Sequence, residues 1–174
     1  KFQDQVAVIT GAGQGAGKKL ATRFYEEGAI VCLLDLNGKN LASVVEEVKP
    51  DEDRFVTYTA DVSNSSQVTA VMEDIGRRFG KIDILINNAG VLHKGMIETS
   101  SDDHIQLMIG VNLMGPMYCT RAAVPYMKEK GGNIINVASI LATFPNTGSG
   151  AYGAAKAGMI VLTRVWAAEL APYN

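Results

Sequence analysis

Tyr152 and Lys156 stand four residues apart in a stretch with helical periodicity. At that spacing both side chains fall on one face of the helix, one turn apart. A cation beside a phenol favours the phenolate. Such a phenol can give a proton to a carbonyl oxygen as it is reduced, or take one from an alcohol as it is oxidised. Ser139 follows a short run, Asn133 to Ala138, that reads as the strand just before this helix. Its hydroxyl would hold the oxygen undergoing change. Tyr-x3-Lys spacing arises by chance on many helices. The pair gains weight from its place behind that strand and that serine.

A second group lies near the other end of the chain. Val6 to Thr10 is apolar and β-branched without alternation, the pattern of a strand buried on both faces of a parallel sheet. It runs into Gly11-Ala12-Gly13-Gln14-Gly15-Ala16-Gly17 and then a helical pattern. Strand, glycine-rich turn and helix in succession point to a dinucleotide site. Gly11 suits a sharp turn, Gly15 lets the chain approach a pyrophosphate, and Gly17 lets the helix lie close to the sheet. The free N–H groups at the helix start would face the phosphates. The spacing is Gly-x3-Gly-x-Gly, not the commoner Gly-x-Gly-x2-Gly. Asp35 closes a second apolar strand, Ala29 to Leu34. A carboxylate there is placed to accept the adenosine ribose hydroxyls. It would repel a 2′-phosphate, and neither Gln14 nor Leu36 brings a compensating cation. The expected cofactor is therefore NAD, not NADP.

The intervening elements must bring these groups to one mouth. Helices are expected over 15–27, 38–49 and from Asn64 or Ser65 to 79, the last opened by Asn64 and Gln67 at capping-box spacing and stopped by Gly80. Strands are expected over 54–60 and 82–86, the latter followed by Asn87-Asn88-Ala89-Gly90. A long helix over 102–130 should bend at Gly115-Pro116. Asn112, just before the bend in an apolar stretch, needs a hydrogen-bond partner. It could fill a carbonyl left without its normal donor, or reach the cleft through water. The last helix runs from Tyr152 to Ala171. Five strands alternating with helices imply right-handed crossovers and a doubly wound α/β sheet in three layers. In such a sheet ligands bind beyond the carboxyl ends of the strands.

Composition narrows the function further. The 174 residues are 47% hydrophobic and 20% charged, with a formal net charge of -2, enough for one domain over 1–174 with a real core. No basic stripe suggests nucleic acid or an anionic membrane surface. No apolar run has membrane-spanning length. Cys32 and Cys119 sit in apolar segments and read as buried free thiols of a cytoplasmic protein. His93 has no second histidine or cysteine at ligand spacing, so it reads as a solvated loop residue and no metal is expected.

Taken together, Thr10-Gly11-x3-Gly15-x-Gly17, Asp35, Asp61-Val62, Asn87-Asn88-Ala89-Gly90, Asn112, Ser139 and Tyr152-x3-Lys156 run in one order along essentially the whole chain. In this the sequence resembles a classical short-chain dehydrogenase/reductase. The resemblance implies a catalytic group of Asn112, Ser139, Tyr152 and Lys156, with Asn112 supporting a water-linked proton route through Lys156. It implies cofactor contacts at Gly11, Gln14, Gly15, Ala16, Gly17, Asp35, Leu36, Asp61, Val62, Asn88, Ala89, Gly90, Tyr152 and Lys156, Asp61 and Val62 lying by the adenine. It implies hydride transfer between a nicotinamide and a secondary alcohol or ketone, and pairing into homodimers or homotetramers. Ala16 stands where the family often has a larger aliphatic residue.

The resemblance also implies two further strands beyond Asn174, so the sheet is expected to lack its last strands and to leave the strand over 133–138 as an open edge. Two other readings fit the residues: a non-catalytic NAD-binding or assembly module, and dehydratase or epimerase chemistry on the same scaffold. Leu92 to Met96 and Ile140 to Gly150 are expected to line a site for a modest, largely uncharged substrate.

Overall fold

The computed structural model describes residues 1–173. Five parallel strands, β1 (Val6–Thr10), β2 (Ile30–Asp35), β3 (Phe55–Thr59), β4 (Ile84–Asn87) and β5 (Asn133–Asn136), form one sheet in the order β3-β2-β1-β4-β5. The order reverses between β1 and β4, so the carboxyl ends of those two strands open a crevice. Helices α1 (Gly15–Glu26), α2 (Gly38–Val48), α3 (Ser65–Phe79), α4 (Asp102–Ile109), α5 (Gly115–Ala123) and α6 (Gly150–Leu170) cover both faces. Two cores result. One packs Val8, Leu34, Val68, Met72, Ile75 and Leu85 with Cys119 beneath α3 and α5. The other packs Ile9, Leu33, Leu41, Val44, Phe55 and Ile86 beneath α1 and α2. The expected doubly wound, three-layer arrangement is present. Along β5, Ile135 stays exposed, and among the described residues only β4 pairs with this strand.

Local chemistry explains where the boundaries differ from expectation. The long helix expected over 102–130 is broken earlier and ends sooner. Residues Gly110–Met114 form a π-turn between α4 and α5. Pro116 has no N–H to offer the Asn112 carbonyl four residues back, and the ladder widens there. Pro125 has the same effect further on: α5 stops at Ala123 and a 3₁₀ turn follows over Val124–Tyr126. At α3 the Asn64 carboxamide accepts from the Ser66 and Gln67 N–H groups at 3.1 Å. The reciprocal half of the capping box is absent, because Gln67 Oε1 accepts from the Asp61 N–H instead. The last helix starts at Gly150, two residues before Tyr152, and a 3₁₀ turn over Ile140–Ala142 precedes it. Both cysteines are free and buried, and burial pushes each thiol up to about 12.

Candidate active site

The glycine turn is shaped by two contacts that only glycine permits. Gly11 has φ +64, the left-handed region that side chains disfavour. A Cβ on Gly17 would stand 2.1 Å from the Gly11 carbonyl oxygen, so α1 begins as close to β1 as backbone allows. No side chain caps α1: Gln14 at its N-cap makes no capping hydrogen bond. Gln14, Gly15 and Ala16 are all exposed, leaving the helix start open for an anion.

The turn is locked to the end of β4. Asn88 Nδ2 donates to the Thr10 carbonyl at 2.9 Å and to the Gly11 carbonyl at 3.1 Å. The Thr10 hydroxyl in turn accepts the Asn88 and Ala89 N–H groups. Asn87 ties the next strand across: its Nδ2 donates to Asn136 Oδ1 at 2.8 Å and to Thr120 Oγ1 at 3.2 Å.

Asp35 is preorganised by backbone. Oδ2 accepts the Gly13 N–H at 2.8 Å and Oδ1 accepts the Asn37 N–H at 2.9 Å. Each oxygen keeps acceptor capacity for a further donor. Leu36 beside it is exposed. Asp61 Oδ1 holds the N–H and hydroxyl of Ser63, while buried Val62 lies against Gly115, where a Cβ would approach its Cγ2 to 3.0 Å.

Across the crevice, α6 carries Tyr152 half-buried and Lys156 only 3% exposed. The ammonium lies 5.9 Å from the Tyr152 ring centre and donates to the Val137 carbonyl at 2.7 Å. Desolvation holds it below the ordinary lysine range. Ser139 Oγ accepts the Leu141 N–H at 3.2 Å, opening the 3₁₀ turn, and its O–H remains available to donate. Among the described residues no hydrogen bond joins Ser139, Tyr152 and Lys156 directly. They share a mouth without yet forming a chain.

Asn112 is fully buried. Its Nδ2 donates to the Met108 carbonyl at 2.9 Å and to the Val91 carbonyl at 2.7 Å, and its Oδ1 accepts the Val91 N–H at 3.2 Å. The side chain bonds a carbonyl of its own helix, four residues back, and clamps the loop after β4. Its polar atoms are thereby engaged by protein. Gly90 sits between Asn112 and Lys156, since a Cβ there would meet Asn112 Oδ1 at 3.0 Å and Lys156 Nζ at 3.6 Å. Sequence reasoning did not single out Val137, which acts through a main-chain carbonyl that no motif spacing marks; Thr10 heads the glycine motif, but the hold of its hydroxyl on Asn88 and Ala89 was not read from it.

His93 is exposed, as expected of a loop residue, but it is not solitary. Its ring stacks on that of His104 in α4 with centroids 3.5 Å apart and planes at 24°. No group of three or more His, Cys, Asp or Glu residues capable of holding a metal occurs among the described residues. No helix among them is long and apolar enough to cross a membrane.

A doubly wound sheet, an open glycine turn at its switch point and a tyrosine–lysine pair at the same mouth define a Rossmann-type α/β protein. Comparison with known proteins makes the assignment specific. Residues 5–174 match the short chain dehydrogenase family, and the chain belongs to that family. It is 36% identical to a 3-oxoacyl-[acyl-carrier-protein] reductase of Thermotoga maritima over 175 aligned positions, covering all of this chain and 71% of that protein. A 3-ketoacyl-(acyl-carrier-protein) reductase from Brucella melitensis, solved with NADH, superposes with TM-score 0.91 at 36% identity, covering 99% of this chain and 73% of the other. A short chain dehydrogenase/reductase from Burkholderia phymatum, solved with NAD, superposes with TM-score 0.93 at 32% identity, covering 99% and 62%. The chain thus spans between 62% and 73% of the length of these three proteins.

Proposed function

We propose that this protein is an NAD-dependent oxidoreductase that transfers a hydride between the nicotinamide and a small secondary alcohol or ketone. The observation that carries the reading is Lys156: a buried ammonium one helical turn from Tyr152, at the mouth that the open glycine turn also faces. The relatives solved with NADH and NAD support the choice of cofactor.

NAD when bound supplies the hydride acceptor, and the chain supplies the rest. The exposed N–H groups at the start of α1 would hold the pyrophosphate. Asp35 would accept the adenosine ribose hydroxyls on its remaining lone pairs and oppose a 2′-phosphate. Asp61 and Val62 would hold the adenine end, and Asn88, Ala89 and Gly90 would also hold the cofactor. Lys156, with donors to spare beside its bond to Val137, would hold the nicotinamide ribose hydroxyls and keep its positive charge near Tyr152. Ser139 donates to the substrate oxygen, and the Tyr152 hydroxyl takes or gives the proton. Asn112 acts by holding Val91 and the π-turn in place. The whole chain serves as one NAD-binding unit, and the buried free thiols suit a reducing cytoplasm. Exposed Met114, Met117, Val161 and Val165 support pairing through α5 and α6 into a homo-oligomer.

The test is the oxidation of isopropanol, cyclohexanol and menthol with NAD, followed by NADH absorbance. The parent chain should turn over at least one of them. Tyr152→Phe should lose roughly 10²-fold or more in kcat. Full turnover by the variant would remove Tyr152 from the chemistry.

A further inference from the structure

The loop after β4 is tied at every second residue. Val91 is gripped through both its N–H and its carbonyl by Asn112. His93 stacks on His104. The Gly95 N–H donates to the Gly148 carbonyl at 3.0 Å, joining this loop to the one after β5. Leu92 and Met96 remain 45% and 47% exposed, although the Met96 carbonyl accepts from Thr99 and Ser100. The loop after β5 carries Ile140 and Phe144, also exposed. Both loops leave the carboxyl ends of their strands, beside the crevice.

The first two ties have one origin. His104, Met108 and Asn112 follow one another at intervals of four and share one face of the helix through α4 and the π-turn. Asn112 is bonded to Met108 on that face. The helix therefore grips the loop at two points two turns apart. The Asn112 grip is made of two part-buried hydrogen bonds from a fully buried side chain. The histidine grip is made of ring contact between an exposed and a half-buried residue, so it is the tie that a substrate or a substitution can most readily disturb.

We propose that His93 and His104 are a positioning pair for the substrate: their stack fixes Leu92 to Met96 at the mouth and thereby sets how the apolar part of an alcohol or ketone is received. The kinetic part of this proposal rests on the hydride-transfer reading above; the hold on the loop does not. Two variants separate ring contact from any other role of the histidine. His93→Ala removes the ring. His93→Phe keeps an aromatic face for His104.

Hydrogen exchange at residues 92–98 is measured first, because it needs no reaction. His93→Ala should speed it roughly three- to tenfold, the range expected for one aromatic pair, and His93→Phe should restore it. With whichever of isopropanol, cyclohexanol and menthol the parent oxidises fastest, His93→Ala should raise KM for the alcohol by a similar factor. It should leave kcat and the KM for NAD within about twofold, a loss of binding common to ground and transition states. His93→Phe should again recover the parent value. Unchanged exchange in His93→Ala, or equal exchange in the two variants, overturns the proposal. Altered exchange with an unchanged alcohol KM overturns the substrate role. The expected exchange pattern in a chain that oxidises none of the alcohols supports the hold on the loop and counts against the hydride-transfer reading.

Discussion

Asn88 donates two hydrogen bonds to Thr10: its N–H to the Thr10 hydroxyl at 3.1 Å, and its carboxamide to the Thr10 carbonyl at 2.9 Å. This pair couples the end of β1 to the end of β4 and fixes the width of the crevice between them. The Asn88 carboxamide also reaches the Gly11 carbonyl. Asn88→Ala would leave two carbonyls at the turn without that donor. The expected loss is about 1–3 kcal/mol of stability, read as a lower urea midpoint. The NAD dissociation constant should rise roughly tenfold as the turn loosens. An unchanged constant would mean that β1 alone holds the turn.

Gly17 tests the same turn from the other side. A methyl group there would stand 2.1 Å from the Gly11 carbonyl oxygen and 2.6 Å from Asn88 Nδ2. The Gly11 carbonyl cannot yield without moving α1, and Asn88 Nδ2 is held by its own bonds to Thr10 and Gly11. Gly17→Ala should cost about 1–3 kcal/mol, the usual range for overpacking a fixed site, and weaken NAD further than Asn88→Ala does. Gly15→Ala makes the control for steric crowding. Nothing lies within 4 Å of its hypothetical Cβ, although its φ of +56 disfavours a side chain. Its penalty on folding should therefore come from backbone strain alone and be the smaller of the two, as titration with urea would show.

These contrasts bear on what the sequence can tell. The strand–turn–helix signal around Gly11 was legible because sheet sterics demand particular residue types at particular places. Tyr152 and Lys156 were legible for the same reason, since helical geometry turns a spacing of four into a shared face. The break before α5 was foreseen at Pro116 but lies over Gly110–Met114, because a proline acts on the carbonyl four residues earlier. The His93–His104 stack and the Lys156–Val137 bond were not legible. Both join segments distant in sequence through groups that no local pattern distinguishes: an aromatic face and a main-chain carbonyl.

Asp35 carries the expected preference for NAD. Its carboxylate is held by the N–H groups of Gly13 and Asn37, so the charge is fixed in direction as well as in place. Asp35→Ser keeps a hydrogen-bonding group and removes the charge. KM for NAD should rise roughly tenfold as one charged hydrogen-bonding site is lost. KM for NADP should fall at the same time, since the repulsion of its 2′-phosphate is gone. Steady-state kinetics with both cofactors decides the matter: a variant that keeps the parent's ratio of the two would place cofactor choice elsewhere.

Lys156 makes a prediction about stability as well as rate. Desolvation lowers its pKa in the folded chain below the ordinary 10.5. The unfolded chain therefore holds the lysine proton more tightly than the folded one. Between the lowered folded value and 10.5, unfolding takes up protons, so stability rises with pH across that window and the gain is complete above it. Lys156→Met removes the titrating group while keeping most of the buried stem. Urea midpoints of parent and variant, measured in steps from about pH 8 to about pH 11, should show the parent gaining on the variant as the pH increases. Other titrating groups are common to both and cancel in the difference. The variant should also lose roughly 10²-fold or more in kcat, because the charge beside Tyr152 is gone. A difference in midpoint that stays flat with pH would show that the ammonium is solvated in the folded chain, and the buried cation would then no longer be available to assist Tyr152.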